Sequence, residues 1–411
     1  MASILWGKVF YRDVPAGEIR QERDRSCIFT YDERYLTSGE PAIAHTLPLR
    51  AEPYWCESGL HPFFDNLVAE GWLRNAQARA LRISPDDRFG LLLAFGRDCA
   101  GAVSVIDTAP AREPAPDFGD GQSAAALASR ASLSGIQPKL LAVADGKGFR
   151  PARAGETSTY IAKLVSGALT DIVEIEHMTT EAVRALLPGD DIVRTRIAAL
   201  TGLRDRALLV GRFDRTRTGR KLHFEEFSQL LGKPSGDAKY DGAYEDMARF
   251  IRETPGCIPA EAEKLFRRVL ACFLTGNTDA HLKNFAMMHT AQGLRLAPAY
   301  DLVASALYPE YQQLALAAGG AANLDIGALK PKHILALGAG FGLPEGAIEL
   351  AVRDMGGRLA AAQKTVRECG DVPGPLKTKL ADHMERRWNG TFDSIGRLLS
   401  KRRSAAAKSS A

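Results

Sequence analysis

The stretch GNTDAHLKNF places Asp279 five residues before Asn284, with His281 and Lys283 between them. This D-x-x-x-x-N spacing suits phosphoryl transfer, in which the aspartate accepts or orients the attacking hydroxyl's proton and the asparagine oxygen holds Mg2+. His281 and Lys283 are grouped with Asp279 as catalytic candidates, and His281 also as a nucleotide contact. Downstream, FAMMH and LRLAPAY flank a TAQG turn and read as a short hairpin, with Asp301 at its far end. A carboxylate just beyond a hairpin is where such enzymes put a second Mg2+ ligand. Asn284 and Asp301 on one rigid hairpin can serve the β- and γ-phosphates of ATP while Asp279 faces the acceptor. An Asn/Asp-rich turn after a helix would explain D-x-x-x-x-N alone; loop, hairpin and second aspartate together say more.

Upstream, Lys163 in YIAKL is placed like the strand lysine that pairs with nucleotide phosphates. A helix starting near Glu174 offers Glu176 or Glu181 as the group that orients it, with Glu176 preferred. Between 130 and 142 the chain reads SRASLSGIQPKLL. Backbone N–H groups of a Gly/Ser loop can cradle phosphates, which makes Ser134, Gly135 and Lys139 nucleotide candidates. No G-x-x-x-x-G-K-[ST] motif occurs, which disfavours a Walker-type NTPase. The glycines of G-A-G-F-G, Gly338 to Gly342, lack dinucleotide spacing and read as an inter-helix turn.

The elements that must hold these residues fall into an order. Residues 1–107 mix strands (ILWGKVFYR, CIFTY), a helical pattern at Phe63, Phe64, Leu67, Val68 and Trp72, and a buried element, FGLLLAFG. Residues 108–123, rich in proline and Gly-Asp turns, read as a linker. Residues 124–230 form a β-rich lobe with one helix, and 231–400 a helical lobe; 401–411 are expected to be disordered. Phe266, Val269, Leu270, Phe273 and Leu274 make one apolar stripe of a helix that Gly276 stops. The fold class is α+β, without βαβ alternation.

Composition narrows the classes further. The 411 residues are 45% apolar and 25% charged, which excludes disorder of the whole chain. A net charge of +4 does not identify a nucleic-acid binder. The six cysteines form no C-x-x-C pair, so no zinc site is suggested. The longest apolar run, near Leu314 to Ala322, is far short of the ~20 residues of a membrane span. The start, MASILWGKVFYRD, lacks a basic segment followed by an apolar one; a cytoplasmic protein with reduced thiols is expected.

SLSGIQPKLL, TYIAKL, GRFDR, LHFEEFSQ, GNTDAHLKNF and LAPAYDL, in that order, resemble the HipA family of toxin serine/threonine kinases. HPFFDNLVAEGWLR and FGLLLAFGRDCAGAVSV are similar to that family's amino-terminal subdomain, and LALAAGGAANLDI fits as well; together the resemblance spans roughly residues 4–400. It implies a two-lobed protein-kinase-like fold behind an amino-terminal α/β module. It implies Asp279 as the base, Asn284 and Asp301 on Mg2+, Lys163 on ATP, and an adenine hinge around Arg212 and Phe213. Ser132 and Ser134 match phosphorylatable serines whose phosphate drives the Gly-loop out of the ATP site. The family often has an acidic residue before R-F-D-R; Gly211 stands there, which alters the hinge. Arg212, Asp214 and Arg215 read better as a structural ion-pair cluster. The implied partners are a helix-turn-helix, HipB-like antitoxin, DNA through that antitoxin, and a translation-related substrate such as an aminoacyl-tRNA synthetase. Two rival readings share the motifs: a small-molecule kinase resembling aminoglycoside or choline kinases, and a silent pseudokinase that binds antitoxin and DNA.

Overall fold

The first strand alternates as a half-buried strand should, with Gly7, Val9 and Tyr11 inward and Trp6 and Lys8 outward. A computed structural model describes residues 5–108, 121–128, 137–153, 155–395 and 398–399. The expected tail, most of the linker, and Ser132, Ser134 and Gly135 lie outside those residues. Contacts divide the chain into two compact units, 1–170 with 194–239 and 171–193 with 240–411.

The first unit opens with β1 (Leu5–Tyr11), β2 (Val14–Gln21), β3 (Cys27–Tyr31), the turn α1 (Glu33–Leu36) and β4 (Tyr54–Cys56). Then come α2 (Pro62–Asp65), α3 (Gly71–Leu81), α4 (Arg88–Phe95) and β5 (Val103–Asp107). The antiparallel sheet runs β4-β3-β2-β1-β5 over a core that includes Val9, Phe29, Phe63, Phe64 and Leu92. FGLLLAFG is α4, buried as expected. The pattern from Phe63 to Trp72 is two helices with a break between them. Asp65, Asn66 and Glu70 flank and fill that break and take main-chain partners at Ser235, Lys233 and Gly236.

After α5 (Gly121–Ala128) come β6 (Lys139–Asp145), β7 (Gly148–Pro151) and β8 (Tyr160–Lys163). The helix α6 (Ile172–Leu186) belongs to the second unit. The first unit resumes with β9 (Thr195–Ala199), β10 (Arg206–Gly211), β11 (Phe224–Glu226) and α7 (Phe227–Leu230). Its second sheet runs β7-β6-β8-β10-β9. Leu140, Leu141, Ala162 and Leu209 share one core with Ala69, Leu73 and Ala126. That shared apolar core joins the amino-terminal module and the β-rich sheet in one unit, where the sequence reading drew two.

The second unit holds α6, α8 (Tyr244–Glu253), α9 (Pro259–Thr275), the hairpin β12 (Ala286–Thr290) and β13 (Gly293–Leu296), then α10 (Pro331–Gly340), α11 (Glu345–Glu368) and α12 (Gly374–Arg387). The helix α6 buries Ile172, Val173, Ile175, Met178, Ala182, Val183 and Leu186 and packs on α11 and α9, which is why it leaves the β-rich lobe that sequence order assigns it. Gly338 to Gly340, read as a turn, are the end of α10. A Cβ on Gly338 would sit 2.4 Å from Ile348, so the glycine allows α10 to pack against α11. Only Gly342, with φ +77°, serves the turn itself.

Candidate active site

The helix α9 presents Leu265, Phe266, Val269, Leu270, Phe273 and Leu274 to the core and stops at Gly276, whose φ of 82° lies in the left-handed region. A Cβ at Gly276 would come within 2.6 Å of Nε2 of His383 on α12. Burial pushes the His383 imidazole down to about 4, so it packs there as a neutral ring. The loop that follows is held by its own main chain. The Asn284 N–H donates to the His281 carbonyl at 2.9 Å, and the His281 N–H to the Asp279 carbonyl at 2.8 Å.

Ser305 fixes the loop from outside. Its Oγ accepts from the N–H groups of Thr278 (2.9 Å) and Asp279 (3.2 Å) and lies 2.7 Å from Thr278 Oγ1. Thr278 Oγ1 spends its proton on the Tyr311 carbonyl at 2.8 Å, so the Ser305 hydroxyl donates to Thr278. Around this anchored main chain His281, Leu282, Lys283 and Asn284 are buried, while Asp279 is exposed. The Tyr240 hydroxyl donates to Asp279 Oδ1 at 3.1 Å, and the Tyr240 ring meets the His281 ring edge-on at 5.2 Å. Lys283 contributes its carbonyl, which accepts from the Tyr300 hydroxyl at 2.7 Å.

The hairpin carries the chain from Asn284 to Asp301. Asp301 has φ +56°, a left-handed conformation that aspartate tolerates better than most residues. Its carbonyl accepts from Asn284 Nδ2 at 3.5 Å and from Asn277 Nδ2 at 3.4 Å. Asn284 Nδ2 also reaches the Asp279 carbonyl at 3.3 Å. With the amide nitrogen turned to those carbonyls, Asn284 Oδ1 is buried and accepts no hydrogen bond from any described residue. A buried oxygen in that state is costly without a donor or a cation. An amide oxygen and a carboxylate are hard oxygen ligands of the type Mg2+ takes, so Asn284 and Asp301 fit that ion. Three residues on, the Ala304 N–H donates to Thr179 Oγ1 of α6 at 3.2 Å. Glu176 is buried on that same helix, whereas Glu181 is engaged by Arg184.

In the first unit, Lys139 and Lys163 stand directly opposite each other in the β6–β8 register, and both are buried. Cross-strand partners share a face, so both lysine side chains leave the sheet on the same side. Phe213 packs edge-on against Phe224, with ring centroids 4.9 Å apart. Arg212, expected at the adenine hinge and in an ion-pair cluster, has its side chain engaged within the protein. Its Nε and one terminal nitrogen bond Asp214 at 2.9 and 2.8 Å, and the other terminal nitrogen bonds Ser158 at 2.8 Å. Arg215 bonds Asp214, Asp98 and the carbonyls of Cys99 and Gly101. Burial alone would push the Asp214 carboxyl up, but Arg212 and Arg215 hold it below the usual carboxylate range. The cluster ties the amino-terminal module to the segment after β10. Tyr240, Asn277, Thr179 and Ser305 escaped the sequence reading. Of these only Asn277 lies inside a recognised motif.

Two family models match the chain: the HipA N-terminal domain over residues 7–106 and the HipA-like C-terminal domain over residues 131–363. This chain belongs to the HipA family. Among relatives, the HipA serine/threonine-protein kinase toxin of Shewanella oneidensis is 28% identical over 356 residues, 76% of this chain and 78% of that protein. Two Sinorhizobium fredii proteins, Y4mE and Y4dM, both provisionally named kinases, are 29% and 31% identical. They cover 80% and 73% of this chain, and 84% and 77% of their own lengths. The solved complex of Shewanella oneidensis HipA with HipB and operator DNA contains a chain of the same fold. Its TM-score is 0.75 at 23% identity, over 95% of this chain and 99% of that one. The α+β architecture is therefore that of HipA, and the chain is a HipA-like kinase. No described helix is long and apolar enough to cross a membrane.

Proposed function

We propose that this HipA-like chain transfers the γ-phosphoryl group of ATP to serine or threonine of a protein. The observation that carries the proposal is the Asp279–Asn284–Asp301 constellation, in which the buried Asn284 Oδ1 is unclaimed by any described donor. Asp279, exposed, orients the acceptor hydroxyl and receives its proton. Asn284 and Asp301 would hold Mg2+, which when bound neutralises charge on the phosphates. Lys139 and Lys163 take the nucleotide phosphates. His281 and Lys283 complete the loop, and the main chain around Phe213 flanks the adenine. Catalysis rests on positioning and charge, with little covalent work by the protein.

The same reading makes the chain a cytoplasmic toxin with a HipB-like helix-turn-helix antitoxin, reaching DNA through that partner. Its substrate is then a translation component such as an aminoacyl-tRNA synthetase. Ser132 and Ser134 are the regulatory sites. A phosphoserine adds a charge of about −1.5 to −2 to a loop that must accept ATP's phosphates, so modification ejects the loop. The test is peptide mapping after incubation of the purified chain with γ-labelled ATP and Mg2+. Label on Ser132 or Ser134 that is absent from Asp279→Asn supports the reading. An active enzyme with neither serine labelled removes the switch, and no label on any protein removes the kinase.

A further inference from the structure

We infer that Cys27 and Cys56 form a redox-sensitive modification site, a thiol pair that a low-molecular-weight disulfide closes into a cross-strand bridge. In the antiparallel pairing of β3 with β4, Cys27 stands directly opposite Cys56. Opposed residues share a face of the sheet, with Cα atoms about 4.5 or 5.5 Å apart according to their place in the ladder. Both separations lie within the window of about 4.4–6.8 Å that a disulfide spans. The Cys56 thiol is also near enough to bear on the ionisation of Cys27. Both cysteines are free thiols in the structure.

The two thiols differ in access, which sets the order of events: Cys56 is half-buried and Cys27 is buried. Oxidised glutathione therefore meets Cys56 first. The Cys56 thiolate attacks one sulfur of the reagent, the reagent's S–S bond breaks, and one glutathione leaves as its thiolate. Cys27 then gives up its proton and attacks the Cys56 sulfur of the mixed disulfide, and the second glutathione leaves. The departing thiolates take up the protons that the two cysteines release. Two protein thiols are thus oxidised while one glutathione disulfide is reduced to two glutathiones. Burial pushes the Cys27 thiol up to about 12, which makes the second step the slow one. Gln21 Nε2 donates to Cys27 Sγ at 3.8 Å, which favours the thiolate that this step needs. The bridge closes a covalent loop around the excursion between the two strands. In that loop the Ile43 N–H donates to the Tyr31 hydroxyl at 3.0 Å, and the His45 N–H to Glu225 Oε1 at 2.8 Å. Because β4 is a three-residue edge strand with one neighbour, the bridge anchors the excursion where the sheet holds it least.

The test incubates the folded full chain with oxidised glutathione, blocks the remaining thiols with iodoacetamide and maps the tryptic peptides by mass. The expected product joins Ser26–Arg34 to Ala51–Arg74 with the loss of two hydrogen atoms, and dithiothreitol separates them. The bridged chain is expected to melt about 5 °C above the reduced one, as a constrained unfolded state requires. Cys56→Ser should form no bridge and show no such rise, and Cys27→Ala should stop at the glutathione adduct of Cys56. A wild-type chain in which Cys56 carries glutathione and never joins Cys27 overturns the inference. So does a bridge from either cysteine to another partner, or a folded chain in which neither reacts. A bridged chain that melts no higher overturns the anchoring role. Neither cysteine is among the residues proposed for phosphoryl transfer, so every outcome is read apart from the kinase reading.

Discussion

Two carboxamides converge on one carbonyl: Asn277 and Asn284 both donate to Asp301, whose main chain is left-handed. This arrangement fixes the backbone of Asp301, the proposed Mg2+ ligand, to the loop. Asp301→Ala is therefore expected to weaken ATP binding in the presence of Mg2+ by about 10- to 100-fold, the loss typical when a metal's coordination is disturbed. Asp279→Asn should leave that affinity nearly intact if, as proposed, Asp279 serves the acceptor. Calorimetric titration of both variants checks this, and equal affinities would contradict the assignment. D-x-x-x-x-N stands out in the sequence because both residues sit in one short loop at fixed spacing. Tyr240 and Ser305 were illegible because each meets Asp279 from a distant part of the chain, at separations of 39 and 26 residues, and Thr179 because its partner Ala304 lies 125 residues onward.

The elements around the loop are held by charge as well as by apolar contact. Arg268 on α9 bonds both oxygens of Asp190, at 2.6 and 2.7 Å, and the Ala297 carbonyl at 2.6 Å. It thereby pins the segment after α6 and the exit of β13 to the helix that leads into the loop of Asp279 and Asn284. Burial alone would push the Asp190 carboxyl up; Arg268 and Lys264 hold it below the usual range. Removing the arginine leaves a buried carboxylate with Lys264 as its remaining cation. Arg268→Met is expected to lower unfolding free energy by about 3 kcal/mol, the low end for breaking a buried pair. Urea denaturation measures it, and a change below about 1 kcal/mol would mean that the pair contributes no more than a surface bridge. The apolar stripe of α9 and its stop at Gly276 were plain in the sequence because both are local. The break between α2 and α3 was not, because the backbone that Asp65, Asn66 and Glu70 bind lies some 170 residues onward.

At the scale of the molecule, the sequence order of strands then helices gives the α+β class, yet it does not give the two compact units. Leu73 of α3 and Ala126 of α5 complete the core of the β-rich sheet, and α6 buries its apolar residues among helices. Apolar periodicity tells which residues are buried and is silent on what covers them, which is why the expected lobe boundaries at 123 and 230 differ from the units found. The central claim spans these scales: a HipA-like kinase whose chemistry passes through Asp279. Its most direct test is the rate of γ-phosphoryl transfer from saturating ATP and Mg2+ to protein, for wild type and Asp279→Asn at matched nucleotide occupancy. Removal of a general base predicts a fall of about 10²–10⁴ with ATP still bound. Equal rates in the two proteins would contradict the account.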